Sequence, residues 1–223
     1  MSIMGNNLMA AYWAQNLKPQ MPTDGLIFWA SLNGETPNVA ETGQALTVAQ
    51  GTAEYGSFCN VPCLLANSGS PVRYITFSPI GLPAKAEPCT ISYWGSTKTM
   101  FNYGVNAGRG MRALFVGAAS EKKIYLNLSS DNVSTDIVLS DARMYHFMAT
   151  INGRAYAIYC DGILQKQGNF VGLPATVLSA GAIGKYVSGN NYFTGPIAAC
   201  RIYNRVLEDS EITLLAHEFT PTT

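Results

Sequence analysis

Two short stretches hold the residue types best suited to bind a ligand: FNYGVNAGRG (101–110) and YVSGNNY (186–192). Tyrosine rings offer flat faces to C–H groups, and amides offer paired donors and acceptors to hydroxyls, which is what a sugar ring needs. Asn102, Tyr103, Asn106, Arg109, Tyr186, Asn190, Asn191 and Tyr192 are the candidate ligand-binding residues. A competing reading explains the same composition without a ligand, because Asn and Gly favour turns for backbone reasons.

Other chemistry finds less support. His146 and His217 are the only histidines, and a metal site needs at least three converging ligands. His146, within MYHFMAT, reads as a structural hydrogen-bonding group, and His217 as a helix C-terminal residue suited to the dipole. Serines are plentiful, but no G-x-S-x-G elbow accompanies them. GVNAGRG (104–110) has spaced glycines without a following helix or a Lys-Ser/Thr pair, so a hairpin loop is expected rather than a phosphate cradle. Asp131, Asn132 and Asp136 are the one oxygen-rich group that could take calcium, with a solvated loop as the alternative; no other cofactor is expected. The five cysteines are odd in number and lack a C-x-x-C. Cys59 and Cys63, in FCNVPC, are close enough in sequence for a disulfide, but without a sign of secretion reduced thiols are expected. Cys89, Cys160 and Cys200 fall in apolar runs, where a thiol behaves as a small hydrophobe.

Composition bounds the class. Only 13% of the 223 residues are charged, and 14 Lys and Arg balance 14 Asp and Glu. No global field would draw in nucleic acid, so a basic nucleic-acid binder is excluded. No apolar run approaches the roughly 20 residues of a membrane span. Residues 1–22 lack both a basic n-region and a continuous apolar core, and so do not read as a standard secretory signal.

The positioning elements are mainly strands. GLIFWASL, RYITF (73–77), CTISYWGS (89–96), MRALFVGA, KKIYLNLS and TDIVLS have strand length or alternation, with Gly, Ser and Asn-Asp breaks between them. MYHFMATINGRAYAIYCDGILQKQG (144–168) predicts two successive hairpins, turning at Asn152-Gly153 and Asp161-Gly162. PIAACRIYN is the last strand. It predicts Ile197, Ala199, Arg201 and Tyr203 on one face and Ala198, Cys200 and Ile202 on the other, apolar one. LEDSEITLLAH then reads as a helix capped by Glu208 or Asp209. Residues 1–23 stand apart as an N-terminal extension ending in KPQMP, and 24–223 form the domain. Within the extension, Leu8, Met9, Tyr12 and Trp13 are candidate assembly contacts on a short helix that needs a surface to dock on.

These motifs carry a family resemblance. YHFMATINGRAYAIYCDG and NYFTGPIAACRIYNRVLEDSEI (191–212) resemble the central hairpin and closing segment of laminin G-like (LamG-like) domains. GLIFWASLNG and CTISYWGS are similar to their first strand and their "f-t-i-S-x-W" strand. The resemblance spans about residues 25–216 and implies an all-β, concanavalin A-like jelly-roll β-sandwich with a short C-terminal helix. It also implies a test for enzyme chemistry, since glucanases on this fold carry alternating carboxylates on one strand face. LEDSE instead places its acids at a helix start, and Asp136 and Asp141 flank IVLS without a Glu partner, so no catalytic residue is assigned. Relatives that bind calcium often have acids after the Phe-x-Gly turn, where this chain has Ala198 and Ala199.

The expected function is a non-enzymatic recognition or structural module with carbohydrate binding. A phage virion component of tail-fibre or head-decoration type is the favoured setting, assembling as a homo-oligomer or with other virion proteins, with a surface glycan as the further partner. The alternatives are a secreted bacterial glycan-binding module, located outside the cell or on its surface, and a glycan-cleaving enzyme using dispersed carboxylates. No nucleic-acid or membrane partner is expected.

Overall fold

The computed structural model describes residues 21–35, 38–49, 53–65, 74–105, 110–117, 121–128, 131–173, 176–187 and 192–219. Along the chain run β1 Leu26–Ala30, β2 Leu46–Ala49, β3 Tyr55–Phe58, β4 Val61–Leu64, β5 Tyr74–Phe77 and β6 Cys89–Gly95. Then come β7 Met100–Val105, β8 Gly110–Val116, β9 Ile124–Leu128, β10 Asp131–Ser134 and β11 Tyr145–Asn152. The series ends with β12 Ala155–Cys160, β13 Ile163–Asn169, β14 Gly181–Ile183, β15 Ile197–Tyr203 and the helix α1 Asp209–Ala216. Two antiparallel sheets face each other. One has the order β13-β12-β11-β6-β15-β4-β3, with β1 pairing the far half of β15; the other runs β10-β9-β8-β7-β14-β5-β2. Their inner faces interdigitate around Phe28, Phe77, Tyr93, Phe101 and Phe147. Among the described residues, no helix is long and apolar enough to cross a membrane.

Local chemistry sets the turns. Asp161 and Gly162 both sit at positive φ between Cys160 and its partner Ile163, which is the type I′ geometry that matches strand twist. The preceding hairpin turns one residue later than the sequence suggests. Asn152 pairs with Ala155, leaving Gly153 and Arg154 as the loop, with Gly153 at positive φ. TDIVLS is not a strand. The ladder to β9 is made earlier, by β10; beyond it Thr135 and Leu139 keep single bonds to the Ile124 and Lys122 carbonyls, and Leu139 drops into the core.

The closing strand departs from simple alternation. Ala199 has φ 47° and the register to β6 slips between Ala198 and Arg201. This bulge puts Ala198 and Ala199 on the same side, outside the sheet, and brings Ile197, Cys200 and Ile202 inside. Arg201 and Tyr203 consequently point outward, where α1 lies. Glu208 supplies the cap, exchanging hydrogen bonds with Glu211 in a capping box. Ile212 and Leu215 of α1 bury against Met148, Tyr203 and Leu207. With core on one side and α1 on the other, every residue of β6 is buried.

Thr90, Ser92 and one nitrogen of His146 are bonded on this covered outer face, while His146 Nδ1 and Trp29 Nε1 are buried without a partner among the described residues. Thr90 Oγ1 donates to the Arg205 carbonyl at 2.8 Å and accepts the Leu207 N–H at 3.1 Å. His146 Nε2 lies 2.9 Å from Ser92 Oγ. Burial, with Arg201 and His217 adding to it, lowers the His146 pKa to about 3. Cys63, Cys89, Cys160 and Cys200 are buried and Cys59 is exposed; all five are free thiols, so FCNVPC holds no disulfide.

Two outcomes follow from this packing. A Cβ at Gly195 would run into the Thr97 carbonyl oxygen and press on the Thr99 side chain. Gly195→Ala should therefore cost about 3 kcal/mol or more and lower the thermal midpoint by roughly 10 °C; a melt within about 2 °C of wild type contradicts this contact. His146 stays neutral when folded but takes a proton near pH 6.5 when unfolded, so stability must fall as pH drops below 6.5 toward 3. Denaturant titrations should lose about 2 kcal/mol between pH 6.5 and 4.5, and His146→Gln should flatten that limb.

Candidate functional site

On the outer face of the seven-stranded sheet the described parts of the two sequence-nominated stretches meet, through Asn102 and Val187, though not as the composition implied. Phe101 to Val105 belong to β7, whose alternation decides what each residue can reach. Tyr103 points into the core, fully buried, and its hydroxyl donates to the Pro83 carbonyl at 3.1 Å. Asn102 points outward but is buried beneath the segment that follows β14. Its Nδ2 donates to the carbonyls of Ala182 (3.1 Å) and Lys185 (2.6 Å), and its Oδ1 accepts the Val187 N–H at 3.0 Å. Both residues are thus corrected from ligand contacts to interior groups. Asn102 becomes the bracket that fixes Lys185 and Val187 to the sheet. Asn106, Arg109, Asn190 and Asn191 lie outside the described residues, as do Leu8, Met9, Tyr12 and Trp13.

Tyr186 and Tyr192 remain on the surface. Tyr186 stands edge-on to Phe115 with centroids 6.0 Å apart, and Phe193 is 5.7 Å from it. Phe115 in turn stacks on Tyr125 at 5.0 Å. Met100, Met111 and Ala113 form the buried footing of this aromatic group. Partial burial pushes the Tyr186 hydroxyl above its ordinary pKa, and the Tyr125 hydroxyl, donated to the Glu121 carboxylate, is raised as well.

Beside this group lies a feature that the sequence reading missed. Lys185 and Tyr192 form an isolated antiparallel bridge, and the Tyr192 ring sits 6.0 Å from Tyr74 of β5. The Lys185 ammonium lies 4.4 Å from the Tyr74 centroid and 5.4 Å from that of Tyr192. The three side chains, each half-buried, make a cationic aromatic platform on a rigid sheet. One signal for Tyr74 was available: in RYITF it alternates with the core residues Ile75 and Phe77 and must face outward.

The other nominated chemistry is placed as follows. Asp131 accepts the N–H groups of Val171 (2.7 Å) and Gly172 (3.4 Å), Asn132 is its strand neighbour on the opposite face, and Asp136 is exposed beyond β10. They do not converge, and among the described residues no three His, Cys, Asp or Glu side chains are grouped to hold a metal ion. Asp141 is engaged by Thr97 and Lys122, and Glu211 by both guanidinium nitrogens of Arg205 (2.7 and 2.6 Å), which lower both carboxyl pKa values. Neither is poised as a general acid.

No curated protein is similar enough in sequence to count as a relative. Solved structures share the fold at low identity. Domain 4 of AbnA, a GH43 extracellular arabinanase from Geobacillus stearothermophilus, solved in complex with arabinotriose, is 19% identical with a TM-score of 0.69. That match covers 86% of this chain and 98% of that one. Botulinum neurotoxin type C, whose cell entry depends on interaction with two ganglioside molecules, is 15% identical with a TM-score of 0.66. The binding domain of botulinum neurotoxin DC in complex with rat synaptotagmin II is 15% identical with a TM-score of 0.67. Each covers 89% of this chain but 52% of the toxin chain, so this protein spans about half their length. A profile described as the concanavalin A-like lectin/glucanases superfamily matches residues 73–213, well over half of the sequence, and the chain belongs to that superfamily.

Proposed function

We propose that this protein is a non-enzymatic glycan-recognition module and that it binds sugar on the outer face of its seven-stranded sheet. The observation that carries the reading is the platform of Tyr74, Lys185 and Tyr192. Two tyrosine rings can take the C–H faces of sugar units, while the ammonium between them donates to hydroxyl or carboxylate oxygens. Asn102 holds the segment bearing Lys185 before any ligand arrives, so little ordering entropy is lost on binding. The arabinanase domain supports the reading best, because nearly all of that domain corresponds to this chain and it was solved with an oligosaccharide. The toxin domains weigh less, since half of each has no counterpart here.

A full-length glycan array, followed by calorimetry on the strongest hit, tests the reading. Tyr192→Ala and Tyr74→Ala should each weaken binding about tenfold, whereas Tyr103→Phe, inside the core, should leave it unchanged. A blank array from folded protein, or undiminished binding by both alanine variants, refutes the platform.

Assembly through residues 1–22 is a second reading, favoured by where that segment meets the fold. The Tyr203 hydroxyl donates to the Pro22 carbonyl at 3.1 Å and Met21 packs beside Leu207 and Ile212, on the side of the molecule opposite the platform. Docking there, to a virion or to further copies of the chain, leaves the sugar face outward. Removing residues 2–20 should yield a folded monomer by light scattering; an unchanged oligomeric mass defeats this reading.

A further inference from the structure

The outer face of the eight-stranded sheet carries a cleft of about 400 Å³ beside the end of α1. Five separate segments wall it: the β3–β4 turn, β6, the approach to β11, the β12–β13 turn and the residues just after α1. Its volume falls in the range of small-molecule pockets, roughly 300–1,000 Å³. Val61, Trp94, Met144 and Phe219 make an apolar floor and wall, with Phe219 edge-on to Trp94 at 5.3 Å. On the rim, Arg143 pairs with Asp161, and His217 joins the lining at the end of α1.

The walls are held in place by bonds that no ligand supplies. Trp94 Nε1 donates to the Leu215 carbonyl at 3.3 Å. Asp161 Oδ1 accepts the His146 N–H at 2.8 Å, which leaves Oδ2 for Arg143. The Arg143 guanidinium lies 4.3 Å above the Tyr145 ring. Its side chain is 55% exposed and that of Asp161 29% exposed, so both polar ends can be reached from solvent.

We infer that this cleft is a second sugar site, taking one neutral monosaccharide unit at the end of a glycan. Arg143 and Asp161 cancel each other's charge, so the cleft has no net attraction for an ion. The pair instead presents guanidinium donors beside a carboxylate acceptor, complementary to two vicinal hydroxyls of which one accepts and the other donates. The apolar floor receives the C–H side of the same ring. The β12–β13 turn and the end of α1, whose Ala216 lies against Gly162, bound the cleft together. The inference extends the glycan reading to new residues, and its site shares no side chain with the platform.

The test is an isotope-labelled full-length sample titrated with L-arabinose, D-galactose, D-glucose and D-mannose, each to about 100 mM because single rings bind weakly. At least one sugar should shift the Trp94 indole N–H saturably. Arg143→Ala and Phe219→Ala should each weaken that response about tenfold, while Tyr192→Ala leaves it intact. No saturable shift with any of the four sugars, or an equal response in both cleft variants, overturns the inference. Failure of the platform reads out separately, as array binding insensitive to Tyr192→Ala and Tyr74→Ala.

Discussion

The outer face of the eight-stranded sheet is organised around one buried ion pair. Arg201, 1% exposed, donates to both carboxylate oxygens of Glu218 at 2.8 and 2.5 Å, with its guanidinium 5.1 Å from the Trp29 ring. Burying a guanidinium is costly unless its partner is fixed and its remaining donors are used. The Ala199 bulge turns Arg201 to this side, and α1 delivers Glu218 to it; each would be unfavourable without the other. Once Glu218 is anchored, Phe219 is delivered onto Trp94, and α1 is held over β6 and β11. The cleft therefore depends on a bulge in a strand that contributes none of its walls.

On the opposite sheet an uncharged group does the equivalent work. The Asn102 amide uses both of its functions, donating to the Ala182 carbonyl of β14 and the Lys185 carbonyl beyond it and accepting the Val187 N–H. A buried amide with every function satisfied stabilises modestly, but replacing it would strand the Lys185 carbonyl and the Val187 N–H. This asymmetry explains why an Asn stands mid-strand among Met100, Phe101 and Tyr103, where propensity disfavours it.

Much of the fold was legible in the sequence, because its signals are local. The two hairpins, β6 and the cap of α1 each depend on residues a few positions apart. β2, β3 and β4 were not legible. They are short, include Gly56 and Pro62, and are defined by partners far along the chain such as Phe77 and Ile197. The closing strand misled, since one residue at positive φ re-phases its alternation and nothing in IAACRIY announces it. FNYGVN misled differently: Asn and Gly look like turn chemistry, yet the period of two already places Phe101 and Tyr103 together on the core side. The cleft is the limiting case. Its walls come from five segments whose juxtaposition exists only after both sheets have formed.

The two surfaces lie on opposite sides of a sandwich two sheets thick, and neither can turn toward the other. Joining two sites raises affinity for one ligand only when that ligand can span them. A glycan lying across the platform would have to wrap around the sheet edges to place its end in the cleft, past β13 and β10 on one flank or β3 and β2 on the other. That path strains a short saccharide and leaves the gain to separate strands. If both proposed surfaces take sugar, the geometry favours bridging over tighter binding of a single chain: an end unit on the α1 side, a second strand on the other. On that proposal a spacer with two outward faces would bridge even as a monomer, and an oligomer built through residues 1–22 would multiply the effect without altering either site.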